Sequence, residues 1–301
     1  MPSKLKLIIN PIAGGGRAIK ILPKIIKIFE QYNYDIVITK TTVRGDAQKS
    51  AADITDNCQI LVAMGGDGTV NEVVNGILNS QRNVSLGIIP IGTANVLSKE
   101  LFIRKNFQNA CQTIINGNTK IVDVCKHNNR FFLLMSGVGF DAEVVRLIES
   151  FRKGNISLLT YIIPIIRTFW NYKFPKFVVE VDGKFTCPGI GFMLVSNIRR
   201  YTGPFIITNM AKIDDGKLDV FIFKCSGRLK LLKYALGALF RMVHLFNDIK
   251  YLQGRNVSVR SVDGSNIPYQ VDGDSGGFLP QDFTVIPKAI SIIVPKRYHQ
   301  E

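Results

Sequence analysis

Three times before residue 96 a short apolar run ends in a loop of glycine and small polar residues. Leu5 to Ile9 runs into "NPIAGGG", Gln59 to Met64 into "GGDGT", and Val84 to Ile89 into "PIGTAN". Each loop is followed by a segment with helical spacing. Ile21, Leu22, Ile25, Ile26 and Phe29 share one face after the first loop, and Val70, Val73, Val74, Ile77 and Leu78 fall at i, i+3, i+4, i+7 and i+8 after the second. Tyr34 to Thr39 supplies a further strand, followed by a helix start at Gly45-Asp46. Strand, loop and helix in repeated succession predict a parallel α/β layer. In such a sheet ligands bind outside the carboxyl ends of the strands, so the three loops mark one edge as a candidate nucleotide cleft.

The middle loop carries the most chemistry. Gly65, Gly66 and Gly68 let the backbone approach a ligand closely, and the helix that opens behind them aims its free N–H groups and positive dipole end at the loop. Phosphate oxygens suit that geometry. Asp67 is placed to hold Mg2+ directly or through water, and Thr69 and Asn71 offer hydrogen bonds. A plainer reading stands beside this one: Asp67 or Thr69 as an ordinary helix cap.

After Asp123 the pattern changes to paired strands with tight turns. "IVDVCKHNNRFFLLM" is predicted to turn at Asn128-Asn129 and "FVVEVDGKFTC" at Asp182-Gly183, a type I′ signal. Further strands are expected at Phe192 to Ser196, Leu218 to Phe223, Asn256 to Val262, Ile267 to Val271, Phe283 to Ile286 and Ile290 to Val294, interrupted by helical segments at Ile156 to Trp170 and Arg228 to Tyr251. These predict a β-sandwich, and a division into an α/β domain at 1–124 and a sandwich domain at 125–301.

Several function classes fall away. The five cysteines are odd in number, scattered and without a C-x-x-C pair, which argues against a disulfide framework or a zinc site. "GDSGG" at 273–277 matches the nucleophile loop of trypsin-like proteases. However, His127, His244 and His299 are the chain's three histidines, none stands in a triad-like context, and the α/β half contradicts that fold. No G-x-x-x-x-G-K-[ST] is present. The loose dinucleotide fingerprint Gly137-x-Gly139-x-x-Ala142 lies where the β-rich half begins. The start of the chain reads as a first strand and lacks a signal peptide's apolar core and cleavage site. The longest apolar stretch, Ile156 to Trp170, is too short to span a bilayer. A cytoplasmic location is therefore expected. A net charge of +15 attracts polyanions, namely nucleic acid, an anionic membrane or phosphorylated substrates. Without a zinc-finger, KH or RRM signature, nucleic acid is not expected as a partner.

The three loops, together with "TTVRGDA", "GFDAEVV", "DDGKLDV" and "VDGD" in the same order, resemble the diacylglycerol kinase catalytic-domain family of lipid kinases, above all its small bacterial members, over nearly the whole chain. "GGDGT" alone is shared with NAD kinases and, loosely, phosphofructokinases; "PIGTAN" and "DDGKLD" narrow the match. The resemblance implies a Rossmann-like ATP-binding domain of NAD-kinase or diacylglycerol-kinase type followed by a β-sandwich, with the ATP site between them. It also implies ATP and Mg2+ as cofactors. By motif, Asn10, Thr41, Gly65, Gly66, Asp67, Gly68, Thr69, Val70, Asn71, Gly92 and Thr93 fall on nucleotide-contacting positions. It places a metal at the "DDG" turn, on the Asp215 side chain and the carbonyls of Lys212 and Lys217.

The family's tail motif is Asp-Gly-Glu, with the glutamate as general base. This chain has Asp272-Gly273-Asp274, which makes Asp274 the expected base, Asp272 its support, and Ser275 to Gly277 a flexible exit. An aspartate reaches one C–C bond less far, ~1.5 Å. Misplacement on that scale can lower a rate ~10²-fold, so a nucleotide- and lipid-binding pseudokinase, or an NAD kinase, stands as the alternative to a lipid kinase.

A kinase acting on lipid must reach a membrane surface. "RLKLLKYALGALFRMVHLF" places Leu229, Leu232, Leu236, Phe240 and Val243 on one helical stripe with Arg228, Lys230, Lys233 and Arg241 around it. That pattern fits an interfacial helix on an anionic membrane and fits equally a helix whose apolar face packs on the sandwich. Peripheral association is the expectation, and a homodimer is left open.

Overall fold

The computed structural model describes residues 3–54, 57–151, 162–201, 207–208, 210–240, 242–296 and 298. The chain divides into two units, one of Met1–Asp123 with Lys288–Glu301 and one of Val124–Pro287.

In the first unit strands and helices alternate as β1 (Ser3–Ile9), α1 (Arg17–Gln31), β2 (Tyr34–Lys40), α2 (Asp46–Ala52), β3 (Cys58–Gly65), α3 (Asp67–Ser80), β4 (Ser85–Pro90), α4 (Val96–Glu100) and α5 (Phe107–Asn116), and β5 (Thr119–His127) leaves it. The sheet order is β2-β1-β3-β4, every pair parallel. Leu7 to Ile9 and Leu61 to Met64 are buried without a break, because a parallel sheet covered on both faces has no polar side to alternate with. Helix α1 turns Ala18, Leu22, Ile25 and Phe29 into this core. β1, β3 and β4 are neighbours, so the three glycine loops emerge side by side.

The second unit continues with β6 (Arg130–Phe132), β7 (Met135–Val138), α6 (Phe140–Phe151), α7 (Ile162–Asn171), β8 (Lys176–Val181), β9 (Lys184–Ser196), β10 (Leu218–Lys224), α8 (Arg228–Leu239), a 3-10 turn at Val243–Leu245, β11 (Ile249–Gly254), β12 (Asn256–Ser261), β13 (Pro268–Val271), β14 (Asp274–Phe278) and β15 (Gln281–Ile293). The pairings among β5 to β14, and that of β12 with β15, are antiparallel. The long β9 serves both sheets of the sandwich: Lys184 to Ile190 pairs with β8, which leads on to β12 and β15, while Gly191 to Ser196 lies between β7 and β10. Beyond β7 come β13 and β14, and beyond β10 comes β11. Side chains alternate with period two. Met193, Val195, Val220 and Ile222 enter the core between the sheets, while Phe192, Leu194, Phe221 and Phe223 meet Leu231 and Tyr234 of α8 on the outer face.

The expected turns form with left-handed residues at their tips: Asn128 at φ 49°, then Asp182 and Gly183 at φ 51° and 77°. Three expectations change. The helical segment from Arg228 does not reach Tyr251; α8 stops at Leu239, and Ile249 to Tyr251 pair with β10 because an available sheet edge outweighs helical spacing. Of the segment from Ile156, residues 152–161 lie outside those described, and α7 begins at Ile162. Finally, residues 288–301, assigned by sequence to the second domain, group with the first. Ser291 and Ile292 add in parallel to β4, and the buried Asp123 carboxylate accepts the Lys288 amide at 2.7 Å.

Candidate active site

In the first unit the three loops hold one another. The Asn10 amide donates to the Met64 carbonyl at 3.0 Å, and its Nδ2 lies 3.4 Å from Thr69 Oγ1. The amides of Ile91 and Gly92 both donate to the Gly65 carbonyl, at 2.9 and 3.2 Å. Contact is closest between Gly66 and Gly92, where a Cβ on Gly92 would stand 2.5 Å from the Gly66 Cα. Gly14, at φ +61°, brings the first loop equally near, since a Cβ there would meet the Ile91 carbonyl at 2.7 Å. The result is bare backbone packed on bare backbone at the amino end of α3, the arrangement that presents N–H groups to an anion.

Side chains brace this cradle. Asp67, first residue of α3, accepts the Leu97 amide on Oδ1 at 3.2 Å and thereby ties "GGDGT" to the start of α4. Burial pushes its carboxyl pKa up, against the lowering effect of the Val96 and Leu97 amides. A half-buried carboxylate carrying that desolvation cost suits a nearby cation. Thr69 is buried beneath Gly65, Asn71 receives the Asn75 amide group at 3.0 Å, and the exposed Thr93 offers its hydroxyl to solvent. Thr41 joins through its backbone, its amide donating to Ile9 at 2.9 Å.

Two residues beyond the expected set complete the loops. Asn95 donates from Nδ2 to the Gly92 carbonyl at 2.7 Å, and Glu72 accepts the Gly45 amide at 3.0 Å, which joins the "TTVRGDA" turn to α3. Within that turn Asp46 accepts the amides of Thr42 and Val43, and these bonds hold its pKa down at about 2.

In the second unit the tail motif is the tip of the β13–β14 hairpin. Val271 pairs with Asp274 across Asp272 and Gly273, at φ 50° and 86°, both central residues left-handed as a type I′ turn requires. Asp272, expected to support Asp274, accepts three backbone amides on its carboxylate, from Leu133, Leu134 and Met135, each at 3.0 Å. It is thereby committed to building the turn and is a positioning residue rather than a proton acceptor.

Asp274 stands half-buried at the start of β14 with both flanking amides fixed. Gly273 donates to Gln270 Oε1 at 2.8 Å and Ser275 to Glu149 Oε1 at 2.9 Å. Gln270 is itself held, its Nε2 donating at 2.7 Å to Asp141, which also accepts the Tyr201 hydroxyl. Ser275 and Gly277 are paired with β13, so they form a bulged strand and not the flexible exit expected of them.

At the "DDG" turn Gly216 takes φ +71°, and Asp215 accepts the Lys217 amide at 3.1 Å. Lys212 lies in the approach to the turn. Two residues beyond Lys217, Asp219 is fully buried; Tyr251 Oη and Gln253 Nε2 donate to its Oδ1 at 2.5 and 3.0 Å, while Oδ2 has no hydrogen-bond partner. Burial, helped by the charge of Asp215, raises the Asp219 pKa. A buried carboxylate oxygen with no hydrogen-bond partner among the described residues is a donor that a divalent cation would use, although no group of three or more His, Cys, Asp or Glu placed to hold a metal is found among those residues.

The glycine cradle on a parallel sheet, followed by the sandwich, corresponds to two family descriptions: "Diacylglycerol kinase catalytic domain" over residues 4–127 and "YegS C-terminal NAD kinase beta sandwich-like domain" over residues 135–294. The chain belongs to the diacylglycerol kinase catalytic domain family, with the YegS-type C-terminal domain following it. Among its relatives, a diacylglycerol kinase of Bacillus subtilis (strain 168) is 29% identical over 297 residues that cover 97% of each chain, and one of Staphylococcus carnosus is 27% identical over 298 residues. The crystal structure of a diacylglycerol kinase from Bacillus anthracis superimposes with a TM-score of 0.79 at 28% identity, covering 98% of both chains.

Proposed function

We propose that this chain is an ATP-dependent lipid kinase that transfers the γ-phosphate to the hydroxyl of a membrane lipid, diacylglycerol or a related lipid such as a sphingoid base. It would work in the cytoplasm, docked peripherally on an anionic membrane. The observation that carries this reading is the mutual packing of the three glycine loops at the start of α3, in a chain of the diacylglycerol kinase family.

Phosphoryl transfer asks a protein mainly to position groups and balance charge. The loop amides of Gly66 to Gly68 at the start of α3 bind phosphate oxygens, with Gly65 and Gly92 packed behind them and Asn10, Thr41, Thr69, Asn71 and Thr93 as flanking groups. Asp67 and Asp215 with Asp219 are the residues that would hold Mg2+, which when bound neutralises phosphate charge and stiffens the sandwich turn. Asp274 accepts the lipid hydroxyl proton as the new O–P bond forms and the bond between the β- and γ-phosphates breaks, the electron pair leaving with ADP. Asp272, Gln270 and Glu149 fix the backbone on either side of Asp274, which lets a side chain one methylene short of glutamate act from a rigid support.

Asp67→Ala and Asp274→Ala are expected to lower transfer of labelled γ-phosphate to lipid by at least about 10²-fold each. Unchanged transfer in both variants overturns the assignment. ATP binding by the unaltered chain without turnover on any lipid would favour the pseudokinase reading, for which the aspartate at position 274 is the motivation.

A further inference from the structure

Helices α7 and α8 both lie on the outer face of the sheet formed by β9, β10 and β11, and both are apolar on the side that faces away from it. In α8 the inward residues are Leu231, Tyr234 and Gly237. Leu229, Leu232, Leu236 and Phe240 lie on the opposite side, and Leu229 is 85% exposed. At ~100° per residue they form a stripe about 100° wide, bordered by Arg228 on one side and Lys233 on the other. Val243, expected on this stripe, is buried in the 3-10 turn instead. Helix α7 repeats the design: Pro164 and Thr168 are buried, while Ile163, Ile166 and Trp170 point out, Trp170 at 62% exposure. The two helices adjoin through Arg228, which donates to the Trp170 carbonyl at 2.7 Å and sits 5.8 Å from the centre of its ring.

Scattered exposed leucines need no explanation, but two adjoining helices with continuous apolar outer faces do. Charge identifies the occupant. Between residues 220 and 247 the sequence has five lysines or arginines and no acid, and 162–176 adds Arg167, Lys173 and Lys176, again without an acid. Arg228 and Lys230 donate to carbonyl oxygens, which leaves their net charge in place, whereas Lys233 is paired with Asp248. An apolar face with a basic rim and an exposed tryptophan matches the boundary between the acyl chains and headgroups of an anionic bilayer. A second copy of the chain would bring the same positive rim against itself.

We propose that the joined outer faces of α7 and α8 are the surface by which this chain inserts shallowly into an anionic lipid bilayer. Attraction through Arg167, Arg228 and Lys230 brings the chain to the membrane, and Trp170, Leu229, Leu236 and Phe240 enter the interface. The inference rests on the lipid-kinase reading for its purpose alone; binding is measured apart from catalysis.

Trp170 is the one tryptophan in the chain, so its fluorescence reports contact at this surface directly. The test titrates the full chain with phosphatidylglycerol/phosphatidylcholine vesicles and with pure phosphatidylcholine vesicles, following Trp170 emission and co-sedimentation. The unaltered chain is expected to shift its emission to the blue on the anionic vesicles. Leu232→Glu/Leu236→Glu, which alters outward side chains only, is expected to bind at least about tenfold more weakly with an unchanged far-UV spectrum and thermal midpoint. Leu229→Glu alone serves as a second variant should the pair unfold.

Vesicle binding by these variants equal to that of the unaltered chain, or the absence of an emission shift, overturns the proposal. So does light scattering that shows a dimer dissociating in the variants, which would assign the face to a second copy. Absence of phosphate transfer to lipid in detergent micelles by a chain that still binds vesicles through this face would count against the lipid-kinase reading alone.

Discussion

At the scale of single residues, the tail motif holds two aspartates with different surroundings. Asp272 accepts three backbone amides, and Asp274 is the residue proposed to act on substrate. Asp272→Asn keeps the size but removes the charge and one acceptor, so urea denaturation should show a loss of about 1–3 kcal/mol. In Asp274→Asn stability should be nearly unchanged while transfer to lipid falls at least about 10²-fold in kcat. The supporting place of Asp272 was legible from the family resemblance, but the groups that hold it were not, because those amides belong to residues 133–135, far away along the chain.

His127 offers a pH test on the same scale. It is buried against the rings of Phe132 and Tyr269, and desolvation lowers its pKa to about 4. The unfolded chain takes up a proton near the ordinary value of about 6.5, while the folded chain stays neutral down to about 4. Stability contributed by neutral His127 is therefore present above pH 6.5 and lost as pH falls toward 4. His127→Leu should flatten the dependence of the urea midpoint on pH across that window; an unchanged slope would show that the histidine does not contribute.

At the scale of elements, the glycine loops work because nothing but hydrogen stands between their backbones. Gly92→Ala would force a methyl against the Gly66 Cα, and neither backbone can yield without moving a loop. Nucleotide affinity, measured by calorimetry, should fall at least about tenfold, with a smaller effect for Gly68→Ala, where a Cβ meets open space. The loops, the parallel layer and the I′ turns were legible because each is written locally, in glycine spacing and in period. The end of α8 was not, since Ile249 to Tyr251 are recruited by β10, a partner that helical spacing does not reveal. The return of residues 288–301 to the first unit was hidden for the same reason: Ser291 pairs with Ser85, a partner some two hundred residues away that local pattern does not reveal. The buried Asp219 was not singled out from the sequence, because an unpartnered oxygen is a property of burial.

At the scale of the whole molecule, the chain joins a first unit with packed glycine loops to a second unit that bears Asp274, the proposed base, and an apolar helix surface with a basic rim. No described helix is long and apolar enough to cross a membrane. Membrane binding should weaken as salt rises, because the +15 net charge acts through a screened field, and the part contributed by Trp170 and its neighbours should persist. Vesicle co-sedimentation at about 50 and about 500 mM salt, between which the screening length shortens roughly threefold, separates the two contributions.

The central claim is phosphate transfer to a lipid hydroxyl, and it is tested most directly by incubating the chain with γ-labelled ATP, Mg2+ and fractionated membrane lipids and identifying the labelled product. The account predicts label in an organic-soluble phosphomonoester that is absent from the Asp274→Asn reaction. Label confined to inorganic phosphate or to a water-soluble nucleotide would contradict it.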